Sequence, residues 1–154
     1  MRVASLAFFL AVGLLGFAGC QEALPIGPPG ALVTPRRPPL PDSGRARTVL
    51  AFAEAQVGRP YCWGGTGPRC FDCSGLTQRA WGEVGVKLPR TADAVPTAIP
   101  EVALWDVQPG DILWWPGHVG LYAGDGWTVE ALNARSGVVM RHGVPPRRAF
   151  RPRG

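Results

Sequence analysis

The apolar positions along the chain change their period once. Val49, Leu50, Phe52, Ala53 and Val57 fall on one side of a helical wheel, which predicts a first helix over residues 48–57, stopped by Gly58 and Pro60. Residues 61–71 are rich in Gly and Pro and read as a loop. Leu76, Ala80, Trp81 and Val84 form the stripe of a second helix over residues 73–84, with Asp72 placed to cap it and Gly85 to end it. Residues 88–110 carry Pro89, Pro96, Pro100 and Pro109 and are expected to be mostly irregular. Short strands follow over residues 111–115, 118–122, 128–132 and 138–141, separated by Pro116-Gly117, Gly124-Asp125-Gly126 and Arg135-Ser136-Gly137. Trp114 and Trp115 are adjacent on a strand and so face opposite sides. Helices first and strands after give an α+β domain over residues 46–150. Its simplest topology is an antiparallel meander packed on the second helix. A Pro-Gly pair does not suit the tight primed hairpin turns, so the strand ends beside Pro116-Gly117 are expected to splay.

The two ends have a different character. Behind Met1-Arg2, residues 3–19 are apolar or small throughout, the pattern of an export signal. Its end, Phe17-Ala18-Gly19-Cys20, resembles the lipobox of bacterial lipoproteins, so Cys20 is a candidate for lipidation and for membrane anchorage in the cell envelope. Residues 21–45 hold Pro25, Pro28, Pro29, Pro35, Pro38, Pro39 and Pro41. Proline fixes the backbone and removes donors, so this stretch is expected to be a semi-rigid tether at about 3.1 Å per residue. The formal net charge is +5, and basic residues crowd at Arg141, Arg147, Arg148, Arg151 and Arg153. A solvated, frayed tail is the expectation there, with residues 151–154 as its end. No basic patch is interleaved with aromatic residues, so nucleic acid is not an expected partner.

Four cysteines carry the candidate chemistry: Cys20, Cys62, Cys70 and Cys73. Cys73 heads the second helix, where free backbone N–H groups and the helix dipole favour a thiolate. It also heads the apolar stripe, so its sulfur should point toward the sheet that packs on that helix. His118 begins the second strand of that sheet and can meet the sulfur as a general base. Glu130, on the next strand between Val129 and Ala131, is the candidate to orient the imidazole; alternation equally allows it to face water. Cys70-Phe71-Asp72-Cys73 is a C-x-x-C, and with Cys62 and His118 it could form a zinc set or a redox pair. Alternatively Cys62 and Cys70 pair with each other in an oxidising compartment, leaving Cys73 free. The nucleophile reading needs no metal and no cofactor. His142 is expected at the surface.

Five blocks in order extend this reading: Pro60-Tyr61-Cys62-Trp63-Gly64-Gly65, Phe71-Asp72-Cys73-Ser74-Gly75-Leu76, Leu88-Pro89-Arg90-Thr91, Pro109-Gly110-Asp111 and His118-Val119-Gly120-Leu121-Tyr122. Together they resemble the NlpC family of cell-wall cysteine endopeptidases, over residues 46–141. The resemblance implies a minimal papain-like fold with Cys73 as nucleophile, His118 as base and Glu130, twelve residues on, as the third polar residue. It implies that Tyr61 helps to hold the oxyanion and that Asp72 and Ser74 contact the free amine of a stem peptide. Trp63 and Arg90, in the same blocks, are further candidates for substrate binding. The implied substrate is peptidoglycan, cut between D-γ-glutamate and a diamino acid. Val95 stands where relatives often carry glutamine. The non-enzymatic alternative is an envelope lipoprotein that uses an inactive version of the groove to bind wall peptides or a partner protein.

Overall fold

The computed structural model describes residues 36–39 and 44–153. The export signal, Cys20 and most of the proline-rich stretch lie outside the described residues. Helix α1 (Gly44–Ala55) begins four residues before its apolar stripe predicts and buries Val49, Leu50 and Ala53 completely. Helix α2 (Cys73–Gly82) starts where expected because Asp72 caps it, its carboxylate accepting the Gly75 N–H at 2.6 Å. Leu76 and Ala80 are fully buried on its inner side. Burial of a leucine-sized side chain contributes about 2 kcal/mol. The proline-rich stretch that follows holds a short α-helix, α3 (Val95–Ala98), between 3-10 turns at Ala92–Ala94 and Leu104–Asp106.

The strands form a six-stranded antiparallel sheet among the described residues: β1 (Glu101–Val102), β2 (Ile112–Trp115), β3 (His118–Gly124), β4 (Trp127–Asn133), β5 (Gly137–His142) and β6 (Arg148–Phe150). Val119, Leu121 and Ala123 of β3 and Val129 and Ala131 of β4 share the buried core with Leu76 and Ala80 of α2. The α+β papain-like class is therefore as expected.

Three details differ from the sequence reading. The sheet order is β1-β6-β2-β3-β4-β5, so β2 to β5 form the meander but β6 crosses back to pair with β2 and β1. The β2–β3 hairpin does not splay: Trp115 still pairs with His118 across Pro116-Gly117. Gly117 takes φ +73°, and with the fixed negative φ of proline before it this is the pattern of a type II turn, which a Pro-Gly pair fits. The C-terminal arginines are not a frayed tail. Arg148 pairs with Glu101 at 2.7 Å, and Arg151 grips the buried Asp111 carboxylate at 2.8 and 2.9 Å. The strand return to β2 brings these cations against acids distant in sequence.

The domain also takes in part of the stretch expected as tether. Pro38 is buried and lies beside Gly124 and Pro109, at the β3–β4 turn, and Arg37 pairs with Glu54 of α1. Trp114 and Trp115 do face apart: the Trp114 indole donates to Ala92 O and the Trp115 indole to Pro145 O. His142 is exposed, as expected.

Candidate active site

The loop before α2 is locked onto the helix. Cys62 and Cys70 form a disulfide, Cys62 N–H donates to Phe71 O at 3.1 Å, and Phe71 N–H donates to Pro60 O at 3.1 Å. Two of the donors needed for the zinc or redox reading are thus consumed, and Cys73 remains free and 9% exposed. A Cβ on Gly75 would sit 2.0 Å from Gly65 O, so only glycine lets the loop lie this close to the first turn of α2. That contact fixes Tyr61 and Trp63 beside Cys73.

Cys73 meets His118 where the tip of α2 reaches the start of β3. The sulfur has the His118 imidazole and the Val119 N–H as hydrogen-bond partners. Burial alone would raise the thiol pKa. The imidazole hydrogen bond, the Val119 N–H and the imidazolium charge outweigh it, so the thiol lies below its ordinary value. For His118, burial alone would favour the neutral ring. Its hydrogen bonds to Cys73 and Glu130, together with their charges, raise its pKa to about 9. The two shifts are complementary and favour the thiolate–imidazolium form of the pair.

Glu130 is 0% exposed and lies 2.5 Å from His118 Nε2, a short hydrogen bond that leaves Nδ1 for the sulfur. Its strand neighbours Val129 and Ala131 belong to the core, so the wet-face alternative fails through cover rather than through alternation. Three side chains satisfy the carboxylate. His118 is one; Thr128 donates at 2.9 Å; Arg141 donates from Nε at 2.6 Å and from Nη2 at 3.1 Å. Burial opposes the charge, yet the imidazole and guanidinium hydrogen bonds hold the Glu130 carboxyl below its usual range. Arg141 escaped the sequence reading, which placed it in a basic run. The available signal was a carboxylate in an apolar strand with an arginine on the next strand, since Thr128 pairs directly with Arg141.

On the other side of the sulfur, Asp72 is fully engaged. It accepts from Gly64 N–H at 2.9 Å and Gly75 N–H at 2.6 Å, and Arg90 forks onto it at 3.0 and 2.7 Å. Arg90 Nη1 also donates to Ser74 Oγ at 3.0 Å. Burial of Asp72 is outweighed by these partners, and its carboxyl lies below the ordinary value. Burial, followed by the charges of Cys73 and Asp72, raises the Tyr61 pKa, which keeps the phenol a proton donor. Trp63 stands 93% exposed at the lip. Tyr61, Trp63, Asp72, Cys73, Arg90 and His118 thus face one groove of about 510 Å³. A second groove of about 510 Å³ runs past Trp105, Tyr122, Thr128 and Pro145, but no nucleophile or base lines it.

The model of the NlpC/P60 family matches residues 58–145. A probable endopeptidase of Corynebacterium glutamicum is 38% identical over 117 residues, which are 74% of this chain and 56% of that protein. The chain spans about half or less of the length of the curated relatives it matches. Among solved structures, the NlpC/p60 domain of the peptidoglycan hydrolase SagA superposes with a TM-score of 0.64 at 28% identity, covering 69% of this chain and 97% of that one. The peptidoglycan hydrolase RipB of Mycobacterium tuberculosis gives a TM-score of 0.62 at 30% identity, covering 70% of this chain and 64% of its own.

Proposed function

The chain belongs to the NlpC/P60 family, and from that premise we propose that it is a cysteine endopeptidase that hydrolyses peptidoglycan stem peptides at the D-γ-glutamyl–diamino acid bond. The observation that carries the reading is the free Cys73 sulfur at the tip of α2, hydrogen-bonded to the His118 ring that Glu130 backs at 2.5 Å. The relatives' printed descriptions, probable endopeptidase and peptidoglycan hydrolase, support the same class.

The chemistry proceeds in two halves. The Cys73 sulfur attacks the scissile carbonyl, and the oxygen takes up negative charge facing the Cys73 N–H and the Tyr61 hydroxyl. His118 gives its Nδ1 proton to the leaving amine, the C–N bond breaks, and a thioester remains on Cys73. Water then enters, the now neutral His118 takes its proton, and hydroxide adds to the thioester carbonyl. The C–S bond breaks, releasing the new carboxyl and restoring thiolate and imidazolium. Ser74 presents its oxygen, and Asp72 its negative charge, to the amine of the stem peptide, while Arg90, already on both, offers its remaining donors to a substrate carboxylate. Trp63 gives an exposed apolar wall.

Cys73→Ala should abolish digestion of purified peptidoglycan while the circular dichroism spectrum stays that of wild type, and mass spectrometry of the muropeptides should show new termini at the D-γ-glutamyl bond. Undiminished digestion by the variant would end the reading; products cut at another amide would keep the nucleophile and replace the bond. The intact charges around Cys73 and His118 speak against the inactive-binder alternative. We further place the protein in the cell envelope, held by lipid on Cys20. That step rests on residues 3–20 of the sequence alone, and an unmodified Cys20 in the mass spectrum of the mature protein would refute it.

A further inference from the structure

We propose that Arg141 is a positioning residue for the reaction: it holds Glu130 as a fixed, ionised carboxylate while the proton on His118 leaves and returns. The inference rests on the reading of Cys73 and His118 as the reacting pair. Its own evidence is the geometry behind them. Glu130 has no exposed surface; its Oε2 meets His118 Nε2 at 2.5 Å and also accepts from Arg141 Nη2 at 3.1 Å, while its Oε1 accepts from Arg141 Nε at 2.6 Å. Thr128 fills a further position on Oε1 at 2.9 Å. Four groups thus alternate in sign from α2 to β5: thiolate, imidazolium, carboxylate, guanidinium.

The need for a second cation appears when the cycle is followed. In the resting state two cations, His118 and Arg141, face Glu130. Once His118 has given its proton to the leaving amine, the imidazole is neutral and Glu130 would stand as a buried charge with no counterion. A carboxylate so placed competes for the imidazolium proton and opposes its departure. The Arg141 guanidinium stays on Glu130 and so neutralises it through every step. It also leaves Oε2 aimed at Nε2, which fixes the ring so that Nδ1 faces the sulfur. The charged and titratable groups around the pair, among the described residues, come from several elements. Cys73 comes from α2, Glu130 from β4 and Arg141 from β5; Tyr61 and the Asp72–Arg90 ion pair lie in the same groove, and Asp93 accepts the Gly117 N–H beside it.

The test uses the full chain acting on purified peptidoglycan, with Arg141→Met and Arg141→Lys in wild-type and Glu130→Gln backgrounds. Arg141→Met should lower kcat about 10- to 100-fold with KM unchanged, the scale of loss when a reacting group is misaligned. Removing a cation raises the proton affinity of its neighbours, so the alkaline limb of kcat should move to higher pH. Arg141→Lys, which keeps the charge but loses the fork, should recover part of the rate. In the Glu130→Gln background Arg141→Met should change kcat by only about twofold or less, because the carboxylate it holds is gone. Wild-type kcat and pH profile in Arg141→Met would overturn the proposal, as would a loss of the same size in both backgrounds. If Arg141→Met alone fails to fold, the comparison of Glu130→Gln with the double variant and of Arg141→Lys with wild type decides in the same terms. Activity that survives Cys73→Ala would sink the cysteine reading itself, whereas a dead Cys73→Ala beside an unaffected Arg141→Met would sink this inference alone.

Discussion

Replacing Cys73 by alanine should uncover a pH dependence of stability that the wild-type protein conceals. The folded His118 pKa is about 9 against an ordinary 6.5. A raised folded pKa gives stability that is full below the unfolded value and is lost as pH climbs through the folded one, so the His118 contribution decays between 6.5 and 9. The lowered Cys73 pKa has the opposite sign: its contribution is present above the unfolded thiol value and lost as pH falls through the folded one. The thiolate–imidazolium assignment puts the folded pair's one proton on the ring near neutral pH, where the unfolded chain carries one on sulfur. No net proton is taken up on folding, so the pair gives wild type no slope there. In Cys73→Ala the ring still meets Glu130 and Arg141 still balances it, but no thiol compensates. The full His118 displacement, 9 minus 6.5, corresponds to about 3 kcal/mol, and Cys73 supplies part of it. The variant should therefore lose roughly 1–2 kcal/mol more than wild type on passing from pH 6.5 to 8.5. Urea unfolding of both proteins at pH 6.5, 7.5 and 8.5 reads this difference directly, since all other groups are common to the two. Parallel pH dependences would refute the assignment of a thiolate–imidazolium resting state.

Two further outcomes test the neighbouring features. Tyr61→Phe should slow peptidoglycan hydrolysis about 10- to 100-fold through loss of an oxyanion donor, while iodoacetamide still labels Cys73 at the wild-type rate; slowed labelling would instead mean that Tyr61 supports the thiolate. Gly75→Ala forces a methyl against the Gly65 carbonyl and should destabilise the fold by about 1–3 kcal/mol in thermal unfolding; an unchanged midpoint would show that the loop yields freely.

The core and the reacting pair were legible because they are local signals. The stripe of α2 and its Asp72 cap lie within twelve residues of each other, and Cys73 and His118 each mark the start of an element. Glu130 stood out as a carboxylate between two core residues. What escaped depends on partners far along the chain. β1 has two residues and β6 three, too few for any alternation to register, and they exist through pairing with each other and, for β6, with β2. Arg141 looked like one charge in a basic run, because only the register of β4 against β5 brings it to Glu130. Arg148 and Arg151 reach Glu101 and Asp111 over separations of 47 and 40 residues, which composition does not encode. The hairpin at Pro116-Gly117 departs from the primed-turn expectation because φ +73° at Gly117 serves a type II turn equally well.

The seat of Pro38 beside Gly124 has a mechanical consequence. β3 runs from His118 to Gly124, six residue steps of about 3.3 Å, so the point where the chain joins the domain is about 20 Å from the imidazole. Tension transmitted through Arg36 would load the far end of that strand, in shear along its hydrogen-bonded neighbours, and not the end that carries His118.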